Sequence, residues 1–214
     1  MRIFLAVRPP EAVLDHLDLA LACARRGSAG PDDSVRWSAR ETWHITTAFY
    51  GELPDGLVPE LAELLGSVVG STTPYQLALR GAGVFAHRTL WVGVGGDVER
   101  QIAVSGAAAQ VGQGLGITDD GRARQRAHLT IGRARAGSGP PGRRGVRSTP
   151  GARGGPVGRP RGEEQGVELL VHALAVYAGP AWTIDELTLE RSEPGAGRGG
   201  GPRYTVLQRF ALSA

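Results

Sequence analysis

Cysteine is almost absent from this chain, and so are long apolar runs. Cys23 is the only cysteine among 214 residues, which excludes an intrachain disulfide and argues against a zinc site built on thiolates. Its place in a helical pattern predicts a buried or half-buried structural role. No apolar stretch approaches the roughly 20 residues of a bilayer-spanning helix. The N-terminal residues enter a strand pattern and lack the features of a signal peptide, so we expect a soluble, cytoplasmic protein that does not bind a membrane.

Acidic residues are missing from one long segment. Residues 121–162 hold eleven arginines and no aspartate or glutamate, so the overall formal charge of +3 leaves about −8 on the rest of the chain. Residues 137–162 are also rich in glycine and proline, with too little apolar surface to offset the entropy of ordering them. We predict a flexible basic insertion there. It is either an electrostatic arm for nucleic-acid phosphates or low-complexity sequence, and the lack of interleaved aromatic residues favours the second.

The remaining sequence has the patterns of an α+β protein. An apolar content of 41% is enough for one good core or for two small lobes that share one. Alternating and helical apolar spacings, together with glycine and proline positions, set the element bounds. Strands are predicted at Arg2–Val7, Val35–Trp37, Trp43–Tyr50, Tyr75–Val84, Thr89–Val94, Ala127–Arg133, Trp182–Glu190 and Tyr204–Ala211, and helices at Pro10–Arg26, Leu57–Val69, Val98–Leu115 and Val167–Tyr177. The glycine-rich residues 195–201 are predicted to form a mobile hairpin tip.

Two His-x-Thr triplets, each on a predicted strand, carry the chemistry. Side chains alternate along a strand, so His44 and Thr46 share one face, as do His128 and Thr130. If the two strands face each other, two imidazoles and two hydroxyls meet in one small volume. That set is complete for cleaving a phosphodiester without a metal: one imidazole takes a proton, the other gives one, and the hydroxyls hold phosphate oxygens.

The duplicated motif and its flanking segments resemble the 2H phosphoesterases, and among them the bacterial RNA 2′,3′-cyclic phosphodiesterases, also called 2′-5′ RNA ligases. A single His-x-Thr triplet has almost no diagnostic value, whereas two with these flanks in this order are specific. The resemblance spans most of the chain and includes Arg2–Val7, Val35–Trp37, Trp43–Leu53, Gly81–Phe85, Leu90–Val94, the second motif, Ile184–Leu189 and Tyr204.

The resemblance implies a fold, a reaction and the roles of the motif residues. The fold is two similar lobes of antiparallel sheet with outer helices around a central cleft, which we expect to form a single domain over residues 1–214. The implied reaction is hydrolysis of an RNA 2′,3′-cyclic phosphate end to a 2′-phosphate, with possible reversal to a 2′-5′ linkage and with no metal or other cofactor. His128 is the implied general base and His44 the general acid, while Thr46 and Thr130 bind the phosphate.

Two more residues match positions of the family. Arg133 resembles an arginine that binds phosphate or substrate, although an ideal strand would place it on the face opposite His128, so it needs a twist or bend at Gly132. Phe49 resembles an aromatic residue that stacks on a base, with a core role as the alternative. Thr47 replaces a residue that is usually apolar in the family. Because it lies on the face opposite the histidine, we expect this change to affect packing rather than chemistry.

The other three histidines do not match the motif. His16, His87 and His172 lack a matching threonine, although His87 could line the mouth of the cleft.

Two other functions stay open. One is a 2H enzyme that acts on another small cyclic nucleotide, and the other is a non-catalytic RNA-end-binding protein. Two intact histidines argue against the second of these, since binding needs no proton-transfer pair. Oligomeric state is open, and nothing in the sequence requires more than a monomer.

Overall fold

The structure, a computed structural model, describes residues 1–27, 35–86, 88–117, 126–135 and 164–213. Within these residues the chain forms nine strands and four longer helices. The strands are β1 (Arg2–Val7), β2 (Val35–Trp37), β3 (Ile45–Glu52), β4 (Tyr75–Phe85), β5 (Thr89–Gly96), β6 (His128–Ala134), β7 (Ala178–Ile184), β8 (Glu186–Glu193) and β9 (Arg203–Ala211). The helices are α1 (Glu11–Gly27), α2 (Val58–Gly70), α3 (Val98–Gly114) and α4 (Glu164–Leu174).

The strands form one antiparallel sheet that divides into two half-sheets. Eight of the strands follow the order β7-β4-β5-β6-β3-β1-β8-β9, and β2 pairs with β6. The first half-sheet is β3-β1-β8-β9 and the second is β6-β5-β4-β7. Among the described residues they are joined by a single residue pair, Ile45 of β3 with Leu129 of β6, and both of these side chains are fully buried. The predicted α+β fold, with antiparallel sheets and outer helices, is confirmed, and its two units meet edge to edge.

The helices cover one side of the sheet and cross between its halves. Helix α1 follows β1 of the first half-sheet but packs against β7 and α4 of the second, whereas α3 follows β5 of the second and packs against β3 and α2. A single buried apolar cluster runs through both halves. Strand β1 lies in the middle of its half-sheet and is buried on both faces from residue 3 to residue 7, which explains its uniformly apolar sequence. Because the helices cover only one side of the sheet, the opposite side is left for the motif side chains.

Two predicted element bounds are wrong near the C terminus. The predicted single strand Trp182–Glu190 is the end of β7 and the start of β8, which pair in different half-sheets. The chain crosses between them at Asp185, whose carbonyl oxygen accepts the Leu212 N–H at 2.7 Å. The alternation of apolar residues cannot show such a crossing, because strand pairing determines it. The predicted helix Val167–Tyr177 is shifted, since α4 ends at Leu174 and the chain leaves it in a turn.

Cys23 is also placed differently from the prediction. It lies on α1, but its side chain is exposed, because the buried face of the helix at this turn is formed by Leu21 and Ala24. The predicted insertion at 137–162 lies outside the described residues, and the extent of the single domain stays a prediction. Helices long and apolar enough to span a membrane are not found in the described part of the chain.

Candidate active site

The first motif begins in a tight turn and continues into β3. Arg40–Thr42 form one turn of 3-10 helix, and His44 lies just before the first residue of β3. His44 Nδ1 is 2.7 Å from the carbonyl oxygen of Thr42, and His44 Nε2 is 3.0 Å from Thr46 Oγ1. A carbonyl oxygen only accepts hydrogen bonds, so Nδ1 carries a hydrogen. Nε2 is then the nitrogen that can take or give a proton.

The second motif repeats this arrangement. His128 is the first residue of β6, and its Nδ1 is 2.9 Å from the carbonyl oxygen of Arg126. In both motifs the imidazole therefore donates to the backbone two residues earlier. The same reasoning assigns the exchangeable proton of His128 to Nε2. Both histidines and both motif threonines are half-buried, so solvent and substrate can reach them.

The junction of the half-sheets brings the two motifs to the same face. Ile45 and Leu129 are the paired residues, and each directly follows a motif histidine. Both side chains point into the core, so the residues on either side of them in the strands point to the opposite face. The pairing of β3 with β6 thus gathers His44, His128 and their threonines on the face of the sheet away from the core. Strand alternation alone predicted the face of each triplet, but not this pairing.

A β-bulge follows the threonine in each motif. In β3, Thr46 pairs with Ala6 and Ala48 with Leu5, so Thr47 is the extra residue. In β6, Gly132 pairs with Leu90 and Thr130 with Trp91, so Ile131 is the extra residue. An extra residue reverses the alternation of the strand beyond it.

The bulges turn the next functional candidates toward the face that carries the motif histidines. Phe49 pairs with Phe4 and Arg133 with Thr89, which places Phe49 on the face of Thr46 and Arg133 on the face of Thr130. Arg133 reaches this face through the bulge at Ile131, one residue before the bend that was predicted at Gly132. The Arg2 guanidinium lies over the Phe49 ring, 4.9 Å from its centroid.

Thr47 lies on the core side, as predicted. It is buried, and its hydroxyl accepts a hydrogen bond from Gln101 Nε2 of α3 at 3.3 Å. Gln101 is itself fully buried, and its Oε1 accepts the Tyr75 hydroxyl at 2.7 Å. The polar residue at this family position is therefore satisfied by a helix behind the sheet.

Aromatic side chains flank both histidines. The His44 ring lies 4.8 Å from Phe4 and 5.1 Å, edge to face, from Tyr204. The His128 ring lies 4.9 Å, edge to face, from Phe85 and 6.3 Å from Trp91. All four aromatic residues occur in the segments that resemble the family, but sequence reasoning did not single them out as site residues. Their positions depend on which strands are neighbours, and the sequence of one strand does not contain that information.

An ion pair between Arg8 and Glu190 and the phenol of Tyr204 lie beside the first motif. Glu190 of β8 is fully buried and binds Arg8 through both carboxylate oxygens, and it also accepts the Thr188 hydroxyl at 2.7 Å. Burial raises the pKa of the Tyr204 phenol, and nearby Arg8 partly opposes this rise. The Tyr204 hydroxyl therefore stays protonated at neutral pH and can act as a hydrogen-bond donor.

The remaining histidines lie elsewhere or are not described. His16 on α1 bonds through Nδ1 to the Tyr177 hydroxyl at 3.1 Å, and His172 is exposed on α4. His87 lies outside the described residues, so its place at the mouth of the cleft stays a prediction. Over the described ranges, histidine, cysteine, aspartate and glutamate side chains form no group of three that could hold a metal ion.

Comparisons with known proteins agree with this architecture. The family model described as LigT-like phosphoesterase matches residues 7–91. An RNA 2′,3′-cyclic phosphodiesterase of Methanothermobacter thermautotrophicus is 24% identical over 221 residues, covering 99% of this chain and 99% of that protein. A protein of the same name from Geobacillus stearothermophilus is 40% identical over 62 residues, covering 27% of this chain and 20% of that protein.

Solved structures share the fold. Escherichia coli LigT complexed with 3′-AMP superposes with a TM-score of 0.69 at 20% identity, covering 100% of this chain and 98% of that one. The TT0787 protein of Thermus thermophilus gives a TM-score of 0.66 at 21% identity, covering 99% and 98%. Residues 7–91 thus match the LigT-like phosphoesterase family, and over its full length the chain is similar to an RNA 2′,3′-cyclic phosphodiesterase and shares the fold of LigT.

Proposed function

We propose that this protein is an enzyme that hydrolyses RNA 2′,3′-cyclic phosphate ends to 2′-phosphates without a metal. The observation that carries the proposal is the matched pair of histidines on one face of the sheet. In each of them Nδ1 donates to a backbone carbonyl, so both Nε2 atoms are set to exchange protons. The relatives named RNA 2′,3′-cyclic phosphodiesterase and the 3′-AMP complex of Escherichia coli LigT support this class of substrate.

The two imidazoles take complementary roles, which we assign from the family resemblance. His128 Nε2 removes a proton from a water molecule as its oxygen attacks phosphorus. His44 Nε2 gives a proton to the 3′ oxygen as its bond to phosphorus breaks, so the phosphate stays on the 2′ oxygen. Each positioned proton transfer contributes about 10²–10⁴-fold to the rate. The strained five-membered ring supplies the driving force.

The neighbouring polar groups stabilise the phosphate. The Thr46 and Thr130 hydroxyls donate to the non-bridging oxygens, where negative charge increases in the transition state. Thr46 Oγ1 lies 3.0 Å from His44 Nε2, so the acid and the hydroxyl can reach adjacent oxygens of one phosphate. Arg133, turned to this face by the bulge at Ile131, adds a positive charge. Phe49 offers a ring for stacking on the base of the terminal nucleotide.

The same displacement with a different nucleophile gives ligation. A 5′-hydroxyl in place of water attacks the cyclic phosphate, and the product is a 2′-5′ linkage with a free 3′-hydroxyl. No nucleotide triphosphate is needed, because the bond that breaks belongs to the strained ring. The proposed partner is thus RNA with a cyclic phosphate end, bound by a protein that needs no second subunit for the steps described.

The test is incubation with an oligoribonucleotide that ends in a 2′,3′-cyclic phosphate, in the presence of EDTA. We expect a 2′-phosphate product at an undiminished rate, which would establish the reaction class, the metal independence and the leaving oxygen together. A 3′-phosphate product would mean that the 2′ oxygen, and not the 3′ oxygen, is the leaving group. Binding without turnover would contradict the proposal and favour an RNA-end-binding protein, whereas turnover of only another small cyclic nucleotide would change the substrate.

Substitution of either motif histidine should remove most of the activity. We expect His44→Ala and His128→Ala each to lower kcat by about 10²–10⁴-fold while the circular dichroism spectrum and the unfolding temperature stay close to those of the wild type. His172→Ala, which removes an exposed histidine on α4, is the matched control and should retain full activity. The wild-type pH–rate profile should be bell-shaped, because one imidazole must be neutral and the other protonated. Activity that survives in the double variant would exclude the mechanism.

A further inference from the structure

Phe85 is the one aromatic residue in the described part of the chain whose side chain is exposed. It ends β4, it is 38% exposed, and its ring lies edge to face with that of His128. The buried Trp91 ring stacks behind it, with centroids 5.0 Å apart and planes 28° apart. An exposed ring beside a catalytic imidazole is not required for proton transfer, and nothing in the mechanism above uses it.

The ring is held firmly from behind. The Trp91 ring lies across β4 at Gly83, where an added Cβ would come within 2.2 Å of the ring. Only glycine therefore allows this tryptophan position, and Trp91 in turn supports Phe85. A tight turn after Phe85, closed by the Arg88 N–H donating to the Phe85 carbonyl oxygen at 2.9 Å, fixes its backbone. The result is an aromatic platform in which the buried Trp91 ring supports the exposed Phe85 ring.

A positive charge lies beside the same platform. The exposed Arg126 guanidinium is 4.8 Å from the centroid of the Trp91 ring, and the carbonyl of Arg126 orients His128. An aromatic face next to a guanidinium is the combination that binds a nucleoside with a phosphate. Phe85 ends β4 of the second half-sheet and Arg126 lies two residues before β6, so both groups are on the side of His128 rather than His44.

The in-line geometry of the reaction indicates which nucleoside this is. In an in-line displacement the attacking and leaving oxygens lie on opposite sides of phosphorus. The leaving 3′ oxygen lies by His44, so the entering group lies by His128. We propose that Phe85 and Arg126 form the binding site for the entering nucleoside in ligation: its base stacks on Phe85, and its 3′-phosphate pairs with Arg126.

The step that this site serves is balanced without a further reactant. The 5′-hydroxyl oxygen of the entering nucleoside bonds to phosphorus as the bond from phosphorus to the 3′ oxygen breaks. The hydroxyl proton passes to His128 Nε2, and a proton from His44 Nε2 passes to the 3′ oxygen. This inference rests on the proposed function, because it uses the roles of the two histidines.

The test measures ligation and hydrolysis in one reaction. A donor oligoribonucleotide with a 2′,3′-cyclic phosphate is mixed with rising concentrations of a dinucleotide that carries a 5′-hydroxyl, and the 2′-5′-linked and 2′-phosphate products are resolved. In the wild type we expect the fraction of ligated product to saturate with the dinucleotide. Phe85→Ala should raise the half-saturating concentration by about 5- to 100-fold, the effect of losing one base stack. Phe85→Trp should restore it.

Two further variants separate the parts of the site. Arg126→Gln should weaken binding of the dinucleotide, which has a 3′-phosphate, more than binding of adenosine, which has none. Leu64→Ala, at a side chain of similar exposure on α2, is the control and should change neither product. A structural effect of Phe85 through His128 would slow ligation and hydrolysis equally, so the product ratio is the readout.

The outcomes distinguish this inference from the proposed function. Hydrolysis with no saturable ligation in the wild type, or an unchanged half-saturating concentration in Phe85→Ala, would overturn the inference and leave the hydrolase intact. Absence of any turnover of the cyclic end would overturn the proposed function and this inference with it.

Discussion

A histidine exchanges protons through the ring nitrogen that its surroundings leave available. In His44 and His128 the backbone carbonyl two residues earlier fixes that nitrogen as Nε2. This arrangement does not require a carboxylate partner, which would favour the charged form of the ring. In the proposed mechanism, the residues just before each motif strand are therefore as important as the strand itself, because they supply the accepting carbonyl.

The turn before His44 is held by charged side chains from two directions. Arg8 binds the buried Glu190 carboxylate and also donates from Nη1 to the carbonyl oxygens of Glu41, at 2.9 Å, and of Trp43, at 3.3 Å. These carbonyls flank Thr42, the acceptor for His44. On the other side, Arg40 of the same turn pairs with Glu11, Asp15 and Asp18 of α1. The position of His44 thus depends on ion pairs formed by residues outside the His-x-Thr motif.

Removal of the Glu190 carboxylate should be costly. We expect Glu190→Ala to lower the free energy of unfolding by about 3–5 kcal/mol, the usual cost of breaking a buried pair and leaving one charge behind. Glu186→Ala on the same strand is the matched control, because Glu186 pairs with Arg209 at the surface, and it should cost less than about 1 kcal/mol. Urea denaturation of both variants would measure the difference. Equal losses would show that the Arg8–Glu190 pair contributes no more than a surface pair.

At the scale of elements, the bulges at Thr47 and Ile131 explain what the sequence could and could not predict. Alternation correctly placed each histidine with its threonine, since the two are only two residues apart. It failed for Arg133, five residues beyond His128, because one extra residue reverses the alternation between them. A bulge at Thr47 acts in the same way between His44 and Phe49. The extra residue exists only relative to the partner strands β1 and β5. A single strand sequence does not show it.

The hairpin of β8 and β9 contains an ion pair whose effect should depend on pH. A hydrogen bond from Arg203 lowers the pKa of Glu193 below its usual value. A carboxylate with a lowered pKa stabilises the fold above its unfolded-state pKa and loses this effect as the pH falls through its folded-state pKa.

We therefore expect the unfolding temperature of Glu193→Gln to be below that of the wild type at pH 7. The two temperatures should converge as the pH falls well below the usual range for glutamate. Arg203→Gln should show the same convergence, because it removes the same pair. Thermal unfolding followed at several pH values measures this, and a difference that persists at the lowest pH would indicate a cause other than the ionised pair.

At the scale of the whole molecule, we propose that both halves fold as one unit, because the helices cross between the two half-sheets. Helix α1 covers the second half-sheet and α3 the first. Each half-sheet is therefore covered in part by a helix that follows a strand of the other half. The sequence predicted the four helices and nearly all the strands, because local apolar spacing determines them. It could not predict which half each helix covers, since that depends on contacts between distant segments.

Loss of the last strand should therefore affect the entire fold. A chain that ends at Gly201 lacks β9, against which α2 packs, and lacks the Tyr204 ring beside His44. We expect it to show no cooperative thermal unfolding and no hydrolysis of cyclic ends, although it keeps both histidine motifs. A chain that lacks only Ser213 and Ala214 is the control and should match the wild type. Cooperative unfolding of the shorter chain would contradict the single folding unit.

The place of β1 has a consequence for synthesis on the ribosome. This strand is made well before β8, which is one of its two neighbours and places Arg191 opposite Ile3. The apolar residues of β1 therefore stay uncovered on that edge until β8 has been synthesised. Both histidines leave the exit tunnel long before the sheet that supports them can close. An interrupted nascent chain should accordingly be inert toward RNA, and it should need chaperones to protect its first strand from other chains.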